Sequence, residues 1–430
     1  MDAGAIQDRV QAALAPPRLG YYVLLLGAAA AAAVGAWSWS LIIRNGMQLT
    51  GLNRPVSWGV FITDFVFWVG IAHSGTLISA ILFLFRARFR TAVYRTAEAM
   101  TVFAVMTAGL FPVIHLGRPW LFYWLFPYPN QRGLWVNFRS PLVWDVFAVS
   151  TYLVVSATFL LAGLVPDAAA LRDGARGWRH RLYALVAMGW GGTDEEWRHH
   201  ERAYLFFAGF ATPLVISVHS VVSWDFAVSV VPGWHSTLFP PYFVAGAILS
   251  GVAMVITLLI PLRRALGLSE LITARHLDML ARVVLLTSLI VTFSYALEFA
   301  LAFRGPPRAE RATLLYRAAG DYAPLFWIMV ASNCVAPLFF FSERARRSTG
   351  TLLAICLLVN VGMWLERFVI VVTSLAHGRV PFDWHLYRPR LVEVGITLGS
   401  FGWFFFWLLL FLKLMPAVSI AELKEEAAHA

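Results

Sequence analysis

Long apolar runs alternate with short polar segments along the whole chain. A helix rises 1.5 Å per residue, so about 20 apolar residues cross roughly 30 Å of hydrocarbon. Ten runs reach this length: 20–43, 57–85, 94–119, 141–165, 203–231, 241–262, 276–303, 320–343, 349–375 and 391–414. The longest segment between them is 166–202. The pattern therefore predicts an all-α integral membrane protein with ten transmembrane helices, here numbered span 1 to span 10, and no separate soluble domain.

The composition agrees with this pattern. Hydrophobic residues make up 59% of the 430 residues and charged residues 13%, whereas charged residues approach a quarter of a soluble domain. The net charge of +10 comes from basic residues that lie almost entirely between apolar runs, so nucleic-acid binding is not expected. Cys334 and Cys356 lie inside apolar runs and are too few for an iron–sulfur cluster or a zinc site. Any metal redox centre is expected in a partner subunit.

Lys and Arg are distributed unevenly between the two sides. Twenty fall in segments on the side of the termini and twelve on the other side, which predicts that both termini are cytoplasmic. The first nineteen residues carry Arg9, Pro16, Pro17 and Arg18 without a small-residue cleavage site, so span 1 is predicted to be retained. Thr193 followed by Glu196 forms a capping-box pattern, which predicts a helix start in the segment before span 5.

Polar side chains at membrane depth are costly and mark candidate functional sites. Spans 2 to 5 and their ends carry seven of them: Asp64, His73, His115, Arg118, Asp145, His219 and Asp225. The rise per residue sets five near the outer face and places His73 and His219 one or two turns deeper. Asp64 and His73 are nine residues apart, which puts them on opposite helix faces, so we expect them to serve different neighbours.

This group suits a lipid-soluble carrier of two electrons and two protons. A quinol needs an apolar, aromatic slot, a hydrogen-bond acceptor for each hydroxyl and carboxylates that carry protons to water. Trp68 and Trp224 supply aromatic rings near His73 and Asp225. An imidazole is the best acceptor because its ordinary pKa near 6.5 lets it take and release a proton. His73 and Asp225 are therefore predicted to be catalytic, and the other named residues to bind quinol.

Each of these residues has a structural alternative. Asp145 and Asp225 lie near span ends and could be solvated or paired with Arg118 or Arg139. His115 precedes Gly-Arg-Pro and could be a turn residue. His73 and His219 lie at similar depth and could ligate a haem, although each helix offers only one deep histidine.

The second half has its own polar set: Glu298 in span 7, Asn333 in span 8, Glu366 and Arg367 in span 9, and Glu393 at the start of span 10. An adjacent acid and base cannot face lipid and most simply neutralise one another as a staple within the bundle. The alternative is a proton path in which Glu298, Glu366 and Glu393 act as relays. The sequence leaves both open.

Five long strings, at 70–91, 97–120, 123–152, 221–251 and 360–375, closely resemble the NrfD-like membrane subunits. In detail they resemble the C subunit of bacterial alternative complex III, over nearly all of the chain. The resemblance implies two four-helix bundles, spans 2–5 and spans 6–9, with spans 1 and 10 flanking them. The expected units are 1–56, 57–231 with the quinol site, 241–375, and 376–430.

The resemblance also implies an activity. It suggests a quinol:acceptor oxidoreductase of a bacterial cytoplasmic membrane, with menaquinol or ubiquinol oxidised at the periplasmic side of the first bundle. The expected partners are an iron–sulfur/molybdopterin-like subunit, a multihaem cytochrome c subunit and a paralogous NrfD-like subunit, all in contact with lipid. The chain itself would bind no haem or cluster, and proton translocation is proposed for such subunits.

Two other functions stay open. One is the membrane anchor of a molybdenum enzyme such as a polysulfide reductase, running in the reducing direction. The other is a proton-coupled transporter, which would show broken helices at corresponding positions of two halves. Pro213, Pro324 and Pro337 indicate such breaks only weakly.

Overall fold

The computed structural model describes residues 3–15, 19–84, 91–127, 140–305 and 308–428. These ranges are helical throughout and contain ten helices long and apolar enough to cross a membrane. In order they are Leu19–Asn45, Val60–Ala80, Tyr94–His115, Pro141–Arg172, Asp194–Ala227, Phe239–Ala265, Ala274–Arg304, Ala323–Phe341, Thr349–Ala376 and Leu391–Leu414. Each coincides with one predicted run, which confirms the all-α membrane prediction.

Two helices are longer than their apolar runs. Span 4 continues to Arg172 rather than 165, and span 5 begins at Asp194 rather than 203. The predicted capping box is present: Glu196 N donates to Thr193 Oγ1 at 3.3 Å, and Thr193 N donates to the Glu196 carboxylate at 2.9 Å. Because the cap satisfies backbone donors that the first turn leaves free, the helix can begin in polar sequence. An apolar run alone does not mark that start.

Contacts between the helices close two groups of four. In the first group, spans 2, 3, 4 and 5 pack in a ring; in the second, spans 6, 7, 8 and 9 do so. The groups meet where span 6 packs along spans 2 and 5, and where span 9 packs along span 2. Two four-helix bundles with two flanking helices are therefore confirmed. The division into four units stays a prediction.

The two flanking helices pair with each other at the edge of the molecule. Spans 1 and 10 cross so closely that a Cβ added at Gly399 would clash with Gly35 Cα. Small residues allow transmembrane helices this approach, which increases van der Waals contact between them. Span 2 is the opposite case, because every residue from Val60 to Thr76 is buried. Span 2 is thus the central helix of the molecule.

Three spans contain π-helical stretches: Leu77–Ile81 in span 2, Ala331–Val335 in span 8 and Val369–Thr373 in span 9. Their counterparts by chain order are spans 6, 4 and 5, which carry no such stretch among the described residues. A transporter of two repeated halves would show breaks at corresponding positions. The described helices therefore do not support the transporter interpretation.

Both termini lie on one face. The helix Ala3–Ala13 packs against the helix Ile420–Ala428, and Lys424 Nζ donates to Gln7 Oε1 at 2.5 Å. This face is called the terminal face below, and the other the opposite face. Most of the basic segment predicted between spans 2 and 3 falls at 85–90, outside the described residues.

Candidate functional site: a buried histidine pair and a carboxyl pair

His73 of span 2 and His219 of span 5 meet inside the first bundle. Their ring centroids lie 5.0 Å apart with the planes at 80°, and the residues are 0% and 1% exposed. Neither ring nitrogen of His73, nor Nε2 of His219, has a hydrogen-bond partner among the described residues. Buried polar atoms are nearly always hydrogen-bonded. These three nitrogens can therefore serve a ligand that brings its own donors and acceptors.

Small residues build the surroundings of this histidine pair. Gly70 lies one turn before His73, and a Cβ there would lie 3.9 Å from His219 Nε2. Ser74 packs against Gly251 of span 6, and its buried hydroxyl also has no partner in the described structure. The junction of spans 2, 5 and 6 thus concentrates unpaired polar atoms. The edge-to-face contact of the two imidazoles leaves no gap for a porphyrin between them.

Asp145 of span 4 and Asp225 of span 5 face each other near the opposite face. Their carboxyl groups lie within hydrogen-bonding reach of one another, and the residues are 7% and 8% exposed. One oxygen of each has no partner in the described part of the chain. The neighbouring Trp144 and Trp224 pack edge to face at 5.7 Å. Two carboxyl groups this close hold a proton between them.

His115 and Arg118 lie at the rim of the bundle. The partly buried His115 ring packs edge-on against Phe61 at 6.4 Å. Arg118 is exposed in the following loop. The predicted pairing of the aspartates with Arg118 is therefore not seen, because the aspartates face each other. The other predicted partner, Arg139, lies outside the described residues.

Asp64 and Trp68 occupy another face of span 2. The Asp64 carboxylate accepts hydrogen bonds from Trp364 Nε1 at 2.7 Å and Thr397 Oγ1 at 2.6 Å. Trp68 Nε1 donates to Ser400 Oγ at 3.0 Å. These contacts are with spans 9 and 10. The expectation that Asp64 and His73 serve different neighbours is therefore correct, and a quinol-binding role for Asp64 or Trp68 stays a prediction.

In the second bundle, Glu366 and Arg367 form a buried ion pair. Arg367 Nη1 and the Tyr295 hydroxyl both donate to the Glu366 carboxylate. The Arg367 guanidinium lies 4.6 Å from the centroid of the Phe243 ring. Asn333 Nδ2 donates to the Tyr295 hydroxyl at 3.1 Å. This is the geometry that the staple interpretation requires.

Glu298 has a cation that sequence reasoning did not find. Arg317, in the short helix Arg308–Ala319, donates to Glu298 at 2.8 Å and to Ser374 Oγ at 2.8 Å. A small cavity is lined by Glu298 and Arg317 together with Glu366. Arg317 was missed because it stands in a polar segment between spans. The two ion pairs of the second bundle therefore border one cavity.

Glu393 is used as a cap. Its carboxylate accepts from Gly51 N at 2.6 Å and from Arg390 N at 2.9 Å. The Tyr387 hydroxyl donates to it as well. These bonds fix two loops at the start of span 10. A relay role for Glu393 stays a prediction.

A third buried ion cluster, near the terminal face of the first bundle, was not predicted. Arg95 pairs with Glu98 at 3.2 Å and with Asp167 at 3.0 Å, and the Tyr204 hydroxyl donates to Glu98 at 3.1 Å. A Cβ at Gly163 would clash with Arg95 Nη1, so the glycine makes room for the guanidinium. Sequence reasoning assigned Arg95 to a loop. The spacing of Arg95 and Glu98 at the start of an apolar run could have revealed the pair.

Among the described residues, no group of three or more His, Cys, Asp or Glu could hold a metal ion. The family model described as polysulphide reductase, NrfD, matches residues 48–377. A candidate dimethyl sulfoxide reductase membrane protein of Halobacterium salinarum, the C subunit of its complex, is 26% identical over 409 residues, which cover 89% of this chain and 86% of the relative. The selenate reductase C subunit of Mesobacillus selenatarsenatis is 21% identical over 394 residues, 86% of this chain and 88% of the relative.

A third relative shares a shorter stretch. The Hdr-like menaquinol oxidoreductase integral membrane subunit of Archaeoglobus fulgidus is 22% identical over 240 residues, 55% of this chain and 49% of the relative. The names of these relatives do not point to alternative complex III, so that finer resemblance is not confirmed. The matched region contains spans 2 to 9 and hence both bundles, and on this ground the chain belongs to the NrfD family of membrane subunits.

Proposed function

We propose that this chain is the quinone-reactive membrane subunit of a reductase complex and that it oxidises quinol in its first bundle. Relatives named for dimethyl sulfoxide reductase, selenate reductase and menaquinol oxidoreductase support this proposal. In it, the chain anchors an iron–sulfur and molybdopterin-type partner that receives the electrons. A multihaem cytochrome c partner, expected from alternative complex III, receives no support from those names.

The observation that carries the proposal is the histidine pair. A quinol brings two hydroxyl donors to a site, and the pair presents three ring nitrogens without partners among the described residues. The site is enclosed by apolar helices, as is typical of small-molecule pockets with few polar groups. The half-buried Trp144 and Trp224 lie where spans 4 and 5 meet lipid. They border the opening through which quinol reaches the bundle.

Oxidation of one quinol to quinone releases two electrons and two protons. His73 accepts a hydrogen bond from one hydroxyl and takes its proton as the electrons leave for the partner subunit. His219, whose ring contacts that of His73, takes the second proton. Asp225 lies six residues further along span 5, about 9 Å along the helix axis. It shares the onward proton with Asp145, and the pair releases protons at the opposite face.

The second bundle has a structural role in this proposal. Its buried acids Glu298 and Glu366 each face an arginine, so their charges are compensated without a mobile proton. The charge distribution and the even number of spans favour cytoplasmic termini in a prokaryotic cell membrane. The opposite face is then the periplasmic or outer face, where the partner receives the electrons.

The test is replacement of His73. In the complex purified from membranes, His73→Ala should lower quinol oxidation by roughly 100-fold or more, since a methyl group cannot accept a proton. The matched control is His235→Ala, because His235 is an exposed histidine at the opposite face whose ring bonds only to the Ser229 carbonyl among the described residues. Wild-type turnover in an assembled His73→Ala complex would refute the assignment.

The partner class is tested separately by metal analysis of the purified complex. Molybdenum together with iron–sulfur signals is expected. Several c-type haems per complex without molybdenum would favour an alternative complex III, and would leave the role of the histidine pair intact.

A further inference from the structure

Arg282 points out of the protein in the membrane-spanning part of span 7. Its side chain is 58% exposed. It lies on the same helix stripe as Leu286 and Phe293, which are 60% and 64% exposed and face lipid. Charged side chains in transmembrane helices usually face the bundle interior or a polar cavity. An arginine on the lipid side therefore needs an explanation.

The depth of Arg282 places its charge at a membrane surface. Span 7 has 31 residues, about 46 Å of helix, against roughly 30 Å of hydrocarbon. If the helix is centred, the hydrocarbon begins about 8 Å from Ala274, and the Arg282 backbone lies about 12 Å from it. Helical side chains lean toward the N-terminus, and arginine extends to polar surroundings. The guanidinium thus reaches the headgroup level at the terminal face.

The positive charge there is only partly compensated. Asp278 binds two arginines at once, Arg282 at 2.8 Å and Arg346 at 2.7 Å. Nearby, Arg347 pairs with Glu343, and Arg344 is exposed. This arginine corner is defined by Asp278, Arg282, Glu343, Arg344, Arg346 and Arg347. Four arginines against two carboxylates leave it a net charge of +2.

Apolar surface adjoins the corner. Span 7 packs against the end of span 8, where Phe339 and Phe341 are 64% and 65% exposed. Arg346 donates to the carbonyls of Phe340 and Phe341 at 2.5 and 3.1 Å, so the arginine is fixed directly beside these rings. A cationic corner at headgroup level with exposed apolar side chains next to it matches the two parts of a phospholipid.

We propose that the arginine corner binds an anionic phospholipid of the terminal-face leaflet. The lipid phosphate accepts hydrogen bonds from Arg282 and Arg344, since guanidinium groups bind phosphate in a two-pronged manner. The negative headgroup offsets the excess charge of the corner. The acyl chains lie along Leu286, Phe293 and Phe339.

The experiment is native mass spectrometry of the purified complex, titrated with phosphatidylglycerol and, separately, with phosphatidylcholine. Wild-type complex should retain phosphatidylglycerol in preference. The double variant Arg282→Gln/Arg344→Gln should reduce that preference about 30-fold, which is roughly 2 kcal/mol at about 1 kcal/mol per arginine near a membrane surface. Quinol turnover should stay unchanged, because both residues lie in the second bundle at the terminal face.

The matched control is Arg304→Gln, an exposed arginine at the other end of the same helix. It should keep the preference for phosphatidylglycerol. The proposal is overturned if wild-type complex binds both lipids equally or if the double variant keeps its preference. It is also overturned if inorganic phosphate displaces the bound lipid, because the corner would then bind soluble anions.

Discussion

Replacing Glu366 with glutamine tests whether the Glu366–Arg367 pair is structural or carries protons. The two side chains are 0% and 2% exposed. The glutamine side chain would keep the shape and could still accept the Tyr295 bond, but it would leave the guanidinium without a counter-charge. Removing one partner of a buried ion pair costs about 3 to 5 kcal/mol. A membrane subunit rarely tolerates such a loss, so Glu366→Gln should accumulate poorly.

The double variant Glu366→Gln/Arg367→Met supplies the control. It removes both charges, and an uncharged pair of similar volume is often as stable as the buried ion pair it replaces. The double-mutant cycle should therefore give a coupling energy of about 3 kcal/mol. The assay is the yield of complex in membranes, together with the temperature at which half of it is lost on size-exclusion chromatography.

One result would refute this reasoning. A stable Glu366→Gln complex that oxidises quinol at the normal rate but moves no protons in liposomes would make Glu366 a relay. The cavity that Glu366 shares with Glu298 and Arg317 would then be part of the proton path. Loss of yield in the single variant with recovery in the double variant would establish the staple.

Three further predictions concern the first bundle. Asp225→Asn should slow quinol turnover and change its pH profile more than Asp64→Asn does, as measured from pH 5 to 9; equal effects would place proton release elsewhere. Arg95→Met should lower the yield of complex, since Glu98 and Asp167 would lose their shared cation at a cost of about 3 to 5 kcal/mol; normal yield and melting temperature would contradict this. Thr193→Ala should weaken the cap of span 5 by about 1 kcal/mol and speed hydrogen exchange of the first turn roughly fivefold, whereas unchanged exchange would show that packing fixes the helix start.

The ten spans could be predicted because hydrocarbon thickness imposes a length and because the backbone in lipid must form its own hydrogen bonds. Depth could be predicted for the same reason, since it depends only on position along a helix. The separation of Asp64 from His73 follows from the helical period. These predictions use distances along one helix and need no knowledge of its neighbours.

Contacts between helices could not be predicted in this way. The meeting of Asp145 with Asp225, and of His73 with His219, depends on how spans 2, 4 and 5 rotate and cross. The Arg95 cluster was missed because a basic residue next to other basic residues was assigned to a loop. In the fold, Gly163 opens a space in span 4 that admits the guanidinium, and no apolar pattern encodes that space.

The buried polar groups divide into two kinds, and the division bears on function. Arg95, Arg317 and Arg367 each compensate a buried acid, so their clusters stabilise the fold and lose stability when broken. The carboxyl pair Asp145–Asp225 forms no ion pair within the described residues, and oxygens of this pair and nitrogens of the histidine pair lack partners there. Unpaired buried groups cost stability, and proteins retain such costs mainly at functional sites. Uncharged replacements at His219 or Asp225 should therefore leave the complex stable while impairing turnover, the reverse of what is expected for the arginine clusters.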